Sequence, residues 1–191
     1  MENRPPSAVT GPVTDAERTY AIDLLKTTQA VLHQTVAGLS SVQLMHKPSA
    51  ERWSVAECVE HIVLVERGIF RAIQAAMSGP ADADKRTEIR VSDVDVIKAV
   101  RSRSTLTTAP TPFVPTGRYG DTAATLAVFD QQRQAVIGFV ETVAGDLRTH
   151  YFDHFMLGTL DLYQAILLIA SHGERHRKQI DEVKAGAGFP Q

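Results

Sequence analysis

Two histidines stand one helical turn apart near the C-terminus, in the stretch from Ser171 to Ile180. His172 and His176 have i, i+4 spacing, so on a helix they lie one above the other, about 40° apart around the axis. Both rings can then direct a nitrogen at one point, which is how histidines on adjacent turns bind a transition metal. The spacing makes this pair the first candidate for chemistry in the chain.

The histidine pair is predicted to point into the protein. On a helix, the face that carries both histidines also carries Leu162, Ala165, Leu168, Ile169, Ile180 and Val183. The opposite face is expected to carry Tyr163, Glu174, Arg177, Lys178 and Asp181. An inward histidine is often a core residue satisfied by one hydrogen bond, and the spacing alone leaves that interpretation open. A third ligand from another helix would favour the metal.

Other histidines bear on the same question. His61 lies at the margin of the apolar stripe of the second predicted helix, where its ring can lean into an interhelical groove or keep one nitrogen in water. His150 and His154 also have i, i+4 spacing, but aromatic residues and Gly158 make a continuous helix doubtful there. We therefore predict that His150 and His154 are not metal ligands.

The elements that position these residues belong to a globular chain without a strong charge bias. The chain has 191 residues, of which 43% are hydrophobic, and a formal net charge of −2. It can bury a sizeable core in one domain, and it has no basic excess that would indicate nucleic-acid binding. No uninterrupted apolar segment could span a bilayer, and the N-terminus lacks the apolar run of a signal peptide.

The only cysteine, Cys58, excludes an intrachain disulfide and suits a reducing compartment. We therefore expect a cytoplasmic protein that acts on a small molecule, does not associate with nucleic acid or membranes, and is compatible with a homodimer.

Four long amphipathic helices are expected near residues 14–38, 54–77, 121–144 and 159–184, because apolar residues recur there at helical spacing. Thr14 and Glu17 have the spacing of a capping box, as do Ser54 and Glu57, so the first two helices should begin there. No segment shows the alternation of a β-strand. The sequence predicts an all-α four-helix bundle over residues 14–185, with a disordered tail at 1–13 and a short tail at 186–191.

A long loop is predicted between the second and third of these helices. It follows a short helix expected at residues 92–103, and it runs from Ser104 to Gly120 with several hydroxyl side chains and three prolines. Long loops in compact domains are often functional, for instance as a lid over a site. We expect Phe113 and Tyr119 to anchor this loop.

Two stretches of the chain resemble the DinB/YfiT-like metalloenzyme family. The first, from Arg52 to Ile62, looks like the tryptophan-serine helix start of that family, with His61 in the second turn. The second is similar to the final helix of the family and contains His154, Gly158, His172, Arg175, His176, Gln179 and Ile180. The order and spacing of the two stretches also fit, so the resemblance covers nearly all of residues 14–185. The chain departs from many members at Met156 and Leu157, where they have proline before the glycine.

The resemblance implies a metal centre between the second and fourth long helices. Its ligands would be His61, His172 and His176, and its metal a divalent transition ion, zinc or nickel, with solvent in the open positions. Three neutral imidazoles plus an exchangeable water are typical of a catalytic site, because structural zinc sites are usually closed by four protein ligands.

Such a metal supports two kinds of reaction. It can hold the thiolate of a low-molecular-weight thiol, such as bacillithiol or mycothiol, for transfer to a small electrophile, or it can lower the pKa of a water for hydrolysis of an ester, amide or lactone. The resemblance favours the thiol S-transferase, because some family members use such thiols. A metal-dependent hydrolase is the alternative, and a stress-response bundle that binds a metal or ligand without catalysis is a third.

Two further residues are candidate catalytic groups. Glu57, one turn before His61, is a candidate proton carrier or acceptor for a ligand imidazole, although its capping box explains it equally well. Arg175 is expected at the edge of the site, where it would pair with an anionic substrate group. Gln179 either supports the site or packs. Cys58 is expected to be a core residue, so a transferase would take its sulfur from the thiol co-substrate.

Overall fold

The computed structural model of the protein describes residues 11–105 and 107–191. Its helices, in chain order, are α1 (Asp15–Val36), α2 (Ser41–Met45), α3 (Val55–Met77), α4 (Asp93–Arg101), α5 (Thr122–Thr142) and α6 (Leu162–Lys184), with short 3-10 helices at Asp84–Glu88 and Thr111–Phe113. The four long helices α1, α3, α5 and α6 begin and end within three residues of the predicted positions. The all-α four-helix bundle is thereby confirmed. Residues 1–10 of the predicted N-terminal tail lie outside the described residues.

Side-chain caps start each long helix. The predicted capping boxes of α1 and α3 both form. Helix α5 begins at the carboxylate of Asp121, which accepts from the backbone N–H of Ala124 at 2.8 Å. Helix α6 begins at a third capping box, made by Asp161 and Gln164. Satisfying the free N–H groups of the first turn in this way stabilises a helix start by about 1 kcal/mol.

A short antiparallel hairpin corrects the expectation that the chain has no strand. Strand β1 (Tyr151–His154) pairs with strand β2 (Gly158–Asp161), with His154 opposite Gly158. Three residues connect them, and Gly158 has φ +75°, the left-handed conformation that such a three-residue loop requires. Strands of four residues are too short to show a clear alternation. Gly158 therefore closes a turn, and α6 starts three residues later than predicted.

Helix α6 lies at the centre of the fold, because α1, α3 and α4 all pack against it. Its first half, from Leu162 to Ser171, is buried on every side, as expected of a helix that is apolar all round. Tyr163, which was assigned to the outer face, is only 2% exposed, and its hydroxyl donates to the carbonyl of Glu17 at 2.9 Å. That assignment was wrong because the start of α1 and the guanidinium of Arg148, 4.4 Å from the ring centroid, cover this part of α6.

Two apolar clusters fill the bundle, and a polar layer lies between them. One cluster contains the first half of α6 and the last part of α3, and the other contains the first part of α3 and the end of α6. Along the four helices, the polar layer contains Thr28, His61, Glu66, Arg133 and His176, all buried. The candidate histidines thus lie at mid-height in the bundle. No helix in the described parts of the chain is long and apolar enough to cross a membrane.

Candidate metal centre

Three histidine side chains from two helices converge in the polar layer. His61 lies on α3, His172 and His176 lie on α6, and one ring nitrogen of each is within 4.8 Å of the others. The Nε2 atoms of His172 and His176 are 3.1 Å apart. Two nitrogens that bind one ion at about 2.0–2.1 Å are roughly 2.9–3.4 Å apart at ordinary coordination angles. The donor set, and the spacing of the pair on α6, therefore fit one transition metal ion.

The outer nitrogens of two rings are held by neutral acceptors. Nδ1 of His61 donates to the backbone carbonyl of Phe113 at 2.7 Å, and Nδ1 of His176 donates to the side-chain oxygen of Gln179 at 2.9 Å. These bonds place the ring proton on Nδ1 and leave the lone pair of Nε2 for a metal. Outer hydrogen bonds of this kind orient metal-binding histidines in general. The sequence left two roles open for Gln179, support of the site or packing. In the structure, Gln179 contacts a candidate ligand directly.

The electrostatics keep the three imidazoles neutral. Burial lowers the pKa of His61, although its hydrogen bond to Phe113 acts in the opposite direction. Burial, together with the neighbouring rings, holds the pKa of His172 and the pKa of His176 well below the usual range. A metal binds the unprotonated ring. The site is therefore ready to bind a cation without first losing protons.

An arginine that sequence reasoning missed fixes the position of Gln179. Arg103, just after α4, donates from Nη1 to the same oxygen of Gln179 at 3.1 Å. Its Nε and Nη2 bind the two carboxylate oxygens of Glu182 at 2.9 and 2.6 Å. A row of contacts thus leads from Glu182 through Arg103 and Gln179 to His176. No sequence signal links Arg103 to this row, because its partners lie 76 and 79 residues away.

The three histidines line the wall of a cavity of about 860 Å³. The indole of Trp53 packs against His61, with ring centroids 4.6 Å apart. The predicted loop contributes residues with hydroxyl side chains to the cavity lining, among them Thr105 and Thr107. Arg175 also lines the cavity, and its Nη2 donates to the carbonyl of Thr105 at 2.7 Å. The loop after α4 therefore borders the metal centre.

The loop is anchored to α3 by two adjacent residues. The carboxylate of Glu60, only 5% exposed, accepts from the backbone N–H groups of Thr116, Gly117 and Arg118 at 3.1, 2.8 and 2.9 Å. The next residue, His61, binds the carbonyl of Phe113, as described above. The sequence analysis named Phe113 and Tyr119 as anchors and overlooked Glu60.

The Phe113 ring packs over Gly68, where a Cβ atom would come within 2.7 Å of the ring. Tyr119 packs against the apolar cluster at the start of α3. Both predicted anchors therefore hold the loop on the bundle.

Glu57 and Cys58 lie away from this cavity. The carboxylate of Glu57 accepts from the backbone N–H of Ser54 at 2.8 Å and from Nζ of Lys47 at 3.0 Å. Its contacts are those of a helix cap, and its side chain is absent from the described lining of the cavity. Cys58 is fully buried, and burial raises its pKa to about 12, so its thiol packs in the core as expected.

The second histidine pair is divided by the hairpin. His150 precedes β1, and its ring nitrogens face the backbone carbonyls of Asp146 and Gly79 at 3.2 and 3.3 Å. His154 ends β1 and lines the cavity. Among the described residues, the cluster of side chains suited to a metal contains neither of them.

The fold and the site together define a class: a helical bundle with a candidate three-histidine metal centre between two of its long helices. The chain belongs to the DinB superfamily, whose sequence profile matches residues 24–180. It is similar to the uncharacterized protein YuaE of Bacillus subtilis (strain 168), with 22% identity over 147 residues that cover 77% of this chain and 86% of YuaE.

Among solved structures, the chain resembles YfiT from Bacillus subtilis, described as a probable metal-dependent hydrolase with an unusual four-helix bundle topology. The TM-score is 0.63 at 17% sequence identity, and the match covers 97% of this chain and 95% of YfiT. The family and the fold that the sequence motifs predicted are confirmed.

Proposed function

We propose that the protein is a metal-dependent hydrolase of small acyl compounds that carry an anionic group. One observation carries the proposal: three imidazole nitrogens converge on the wall of an open cavity, and the described residues offer no fourth protein ligand in that cluster. A divalent transition ion bound there would lower the pKa of a water so that hydroxide is available near neutral pH. The description of YfiT as a probable hydrolase supports this reaction over thiol transfer.

The residues around the histidines have separate tasks in this proposal. His61, His172 and His176 hold the ion, while Phe113 and Gln179 keep the proton of two rings on Nδ1. The apolar rings on the cavity wall limit access of bulk water to the reacting groups, which strengthens electrostatic interactions there.

Arg175 is the proposed binding group for the substrate anion. Its hydrogen bond goes to the carbonyl of Thr105, and in the described residues no carboxylate is paired with it in a salt bridge. Burial and the charge of Arg103 lower its pKa, and the charge of Glu182 acts in the opposite direction. An anionic substrate group would supply the missing charge partner and form a short, charge-assisted hydrogen bond.

Thiol S-transfer is the second candidate, and the size of the cavity favours it. A volume of about 860 Å³ is near the upper end of small-molecule sites, and it offers room for a thiol co-substrate beside an electrophile. Since Cys58 is buried with a raised pKa, the attacking sulfur would come from a small thiol and not from this chain. Zinc and nickel remain the proposed ions for either reaction.

A paired assay separates the two reactions. Metal-free protein is loaded with zinc or nickel and tested for hydrolysis of aryl esters and lactones, and for conjugation of several thiols to a chromogenic electrophile. We expect metal-dependent hydrolysis that His176→Ala abolishes and that His33→Ala, a change at a surface histidine, leaves intact. Conjugation without hydrolysis would establish the transferase, and bound metal with neither reaction would establish a binding protein.

A second comparison tests the role of Arg175. Arg175→Ala should raise KM for anionic esters roughly 10-fold or more, through loss of a charge-assisted contact, and should change KM for neutral esters little. Arg177→Ala is the matched control, because that arginine pairs with Glu174 and Asp181 on the same helix. Equal effects of Arg175→Ala on both kinds of ester would contradict the anionic group.

A further inference from the structure

The hairpin places one more histidine on the wall of the same cavity. His154 is the last residue of β1, and its ring lines the cavity together with His172. Its Nδ1 accepts hydrogen bonds from the backbone N–H groups of Met156 and Leu157, each at 3.3 Å. The tight turn closed by Gly158 brings both amides to the same ring nitrogen.

These two bonds determine where the ring carries its proton. A nitrogen that accepts from two N–H donors must present its lone pair, so the neutral ring of His154 carries its proton on Nε2. Protonation of Nδ1 would set a third N–H against the two amides. Burial also lowers the pKa of His154. The ring is thus held as a neutral imidazole with a fixed Nε2–H donor.

The Nε2 atom of His154 differs in its surroundings from the ring nitrogens of His150. Both nitrogens of His150 have partners within the fold, the hydroxyl of Thr149 and the carbonyls of Asp146 and Gly79, as is usual for a structural histidine. In the part of the chain that the structure describes, Nε2 of His154 has no hydrogen-bond partner. Moreover, His154 lines the same cavity as His61, His172 and His176. A donor without a partner therefore shares the cavity with the metal centre.

We propose that His154 is a catalytic residue whose Nε2–H donates a hydrogen bond to the carbonyl oxygen of the acyl substrate. The inference rests on the proposed hydrolysis. As the oxygen of water bonds to the acyl carbon, the π electrons of the carbonyl move onto its oxygen, and Nε2–H stabilises that charge without transferring its proton. The electrons return as the bond to the leaving group breaks, and the leaving group takes a proton from the attacking water. A neutral imidazole can polarise a carbonyl in this way.

The tautomer can be tested without any activity. Metal-free protein labelled with 15N at histidine is examined by NMR near neutral pH, and His154→Phe assigns the signal. We expect a neutral ring protonated at Nε2. The probe 4-acetylbenzoate, which offers a carboxylate and a ketone that water cannot cleave, should shift the Nε2 signal of His154. A ring protonated at Nδ1, or a signal that saturating probe leaves unchanged, would overturn the inference.

Kinetics supply the second test on the metal-loaded protein. His154→Phe should lower kcat for ester hydrolysis about 100-fold, the usual effect of removing one such donor, while metal content stays the same and KM changes little. His154→Gln, which restores an N–H donor, should recover part of the loss, and Met156→Ala controls for damage to the turn. An unchanged kcat in His154→Phe would overturn the inference. If wild-type protein hydrolyses no ester but the Nε2 signal still shifts, the hydrolase proposal fails and His154 keeps its role as a ligand donor.

Discussion

Neutral oxygen atoms orient two of the candidate ligands, and because these acceptors carry no charge, they leave the charge of the site unchanged. His61 donates to a backbone carbonyl and His176 to a side-chain amide, where many metal-binding histidines donate to a carboxylate. Three neutral imidazoles, two of them held by neutral acceptors, would leave a bound divalent ion with its full charge. An ion of higher net charge acidifies water more strongly and attracts anions, which agrees with the proposed role of Arg175.

Metal content gives the most direct prediction for single residues. Purified protein should bind about one transition metal ion per chain, and the double variant His172→Ala, His176→Ala should bind none, because a single imidazole cannot hold the ion alone. Elemental analysis measures the ratio. The double variant His150→Ala, His154→Ala serves as the control and should keep its metal. Retention of metal in the first variant, or its loss in a folded sample of the second, would place the ion elsewhere.

Gln179 gives a second prediction, because its oxygen holds the ring of His176. Gln179→Leu removes the acceptor for Nδ1 at similar volume, and we expect the metal affinity to fall about 10- to 100-fold. Competition with a chromogenic chelator measures the affinity. Gln134→Leu, a change at an exposed position of α5, should leave it unchanged. Equal affinities of the Gln179 and Gln134 variants would show that the contact has no effect on the ligand.

The sequence could predict the histidines of the site and named Gln179 as a candidate support, but it could not predict the other groups that hold them. The i, i+4 spacing and the apolar stripe of α6 indicated His172 and His176. The resemblance to the DinB/YfiT-like family added His61. Arg103, Glu60 and the contact of the Phe113 carbonyl with His61 could not be found in this way, because they depend on how a loop crosses the bundle, and sequence periodicity does not encode that path. Glu57 was a candidate because of its distance along the helix from His61, but its carboxylate turns back to the cap.

At the scale of elements, the loop after α4 and the helix α3 meet through Glu60 and His61. The carboxylate holds three consecutive amides and the imidazole holds a carbonyl of the same loop. Because the two residues are adjacent, any shift of the loop acts on a candidate ligand. The loop is therefore a support for the metal centre as well as a wall of the cavity.

This coupling yields a prediction for Glu60→Gln. An amide can accept from fewer of the three N–H groups and presents its own N–H₂ to the others, so the loop should loosen. We expect faster hydrogen exchange of the amides of residues 116–118 and a metal affinity lowered by roughly 10-fold. Glu57→Gln is the matched control on the same helix, since glutamine also completes a capping box. Unchanged exchange in Glu60→Gln would mean that the carboxylate does not hold the loop.

Long elements were predictable and short ones were not. Helices of 21 to 23 residues repeat their apolar pattern several times, and their caps have recognisable spacing. The hairpin of β1 and β2 consists of four-residue strands, so its only local signal was Gly158, four residues after His154. Helix α2, with five residues, lies between the first two predicted helices and was missed for the same reason.

At the scale of the whole molecule, one buried ion pair joins the long helices at the height of the metal centre. Arg133 on α5 is fully buried and binds both carboxylate oxygens of Glu66 on α3 at 3.0 and 2.7 Å. It also donates to the carbonyl of Leu25 and the hydroxyl of Thr28 on α1 at 2.6 and 2.8 Å. Three helices are fixed relative to one another by a single guanidinium group.

Removing the guanidinium group of Arg133 should lower the free energy of unfolding substantially. Arg133→Met leaves the carboxylate of Glu66 buried without a partner, and we expect the free energy of unfolding to fall by about 3–5 kcal/mol. Urea unfolding of the metal-free protein measures it. The double variant Arg133→Met, Glu66→Leu should recover part of the loss. Lys26→Met, which removes an exposed pair with Glu141, should change stability by at most about 1 kcal/mol. A similarly small effect of Arg133→Met would contradict the role of the pair.

Acidification should destabilise the metal-free protein. The pKa values of His61, His172 and His176 are lowered in the folded state, whereas the unfolded chain titrates near the ordinary value of about 6.5. Below that value the unfolded state binds more protons, so stability falls as the pH drops. The urea midpoint should be lower at pH 5.5 than at pH 7.5, and His172→Gln, His176→Gln should reduce the difference. Equal midpoints for the wild type would show that the buried rings are not neutral.

The three amides that Glu60 holds have a consequence for how this protein can change over time. Every amino acid except proline supplies the same backbone N–H group. The contacts of Glu60 with Thr116 and Arg118 therefore do not depend on the side chains at these two positions. Only Gly117, with φ +74°, is tied to its residue type. Randomised libraries at 116 and 118 should therefore yield mostly folded, metal-binding proteins. Evolution or an engineer can thus exchange side chains at the attachment point without loss of the anchor that holds the loop beside the cavity.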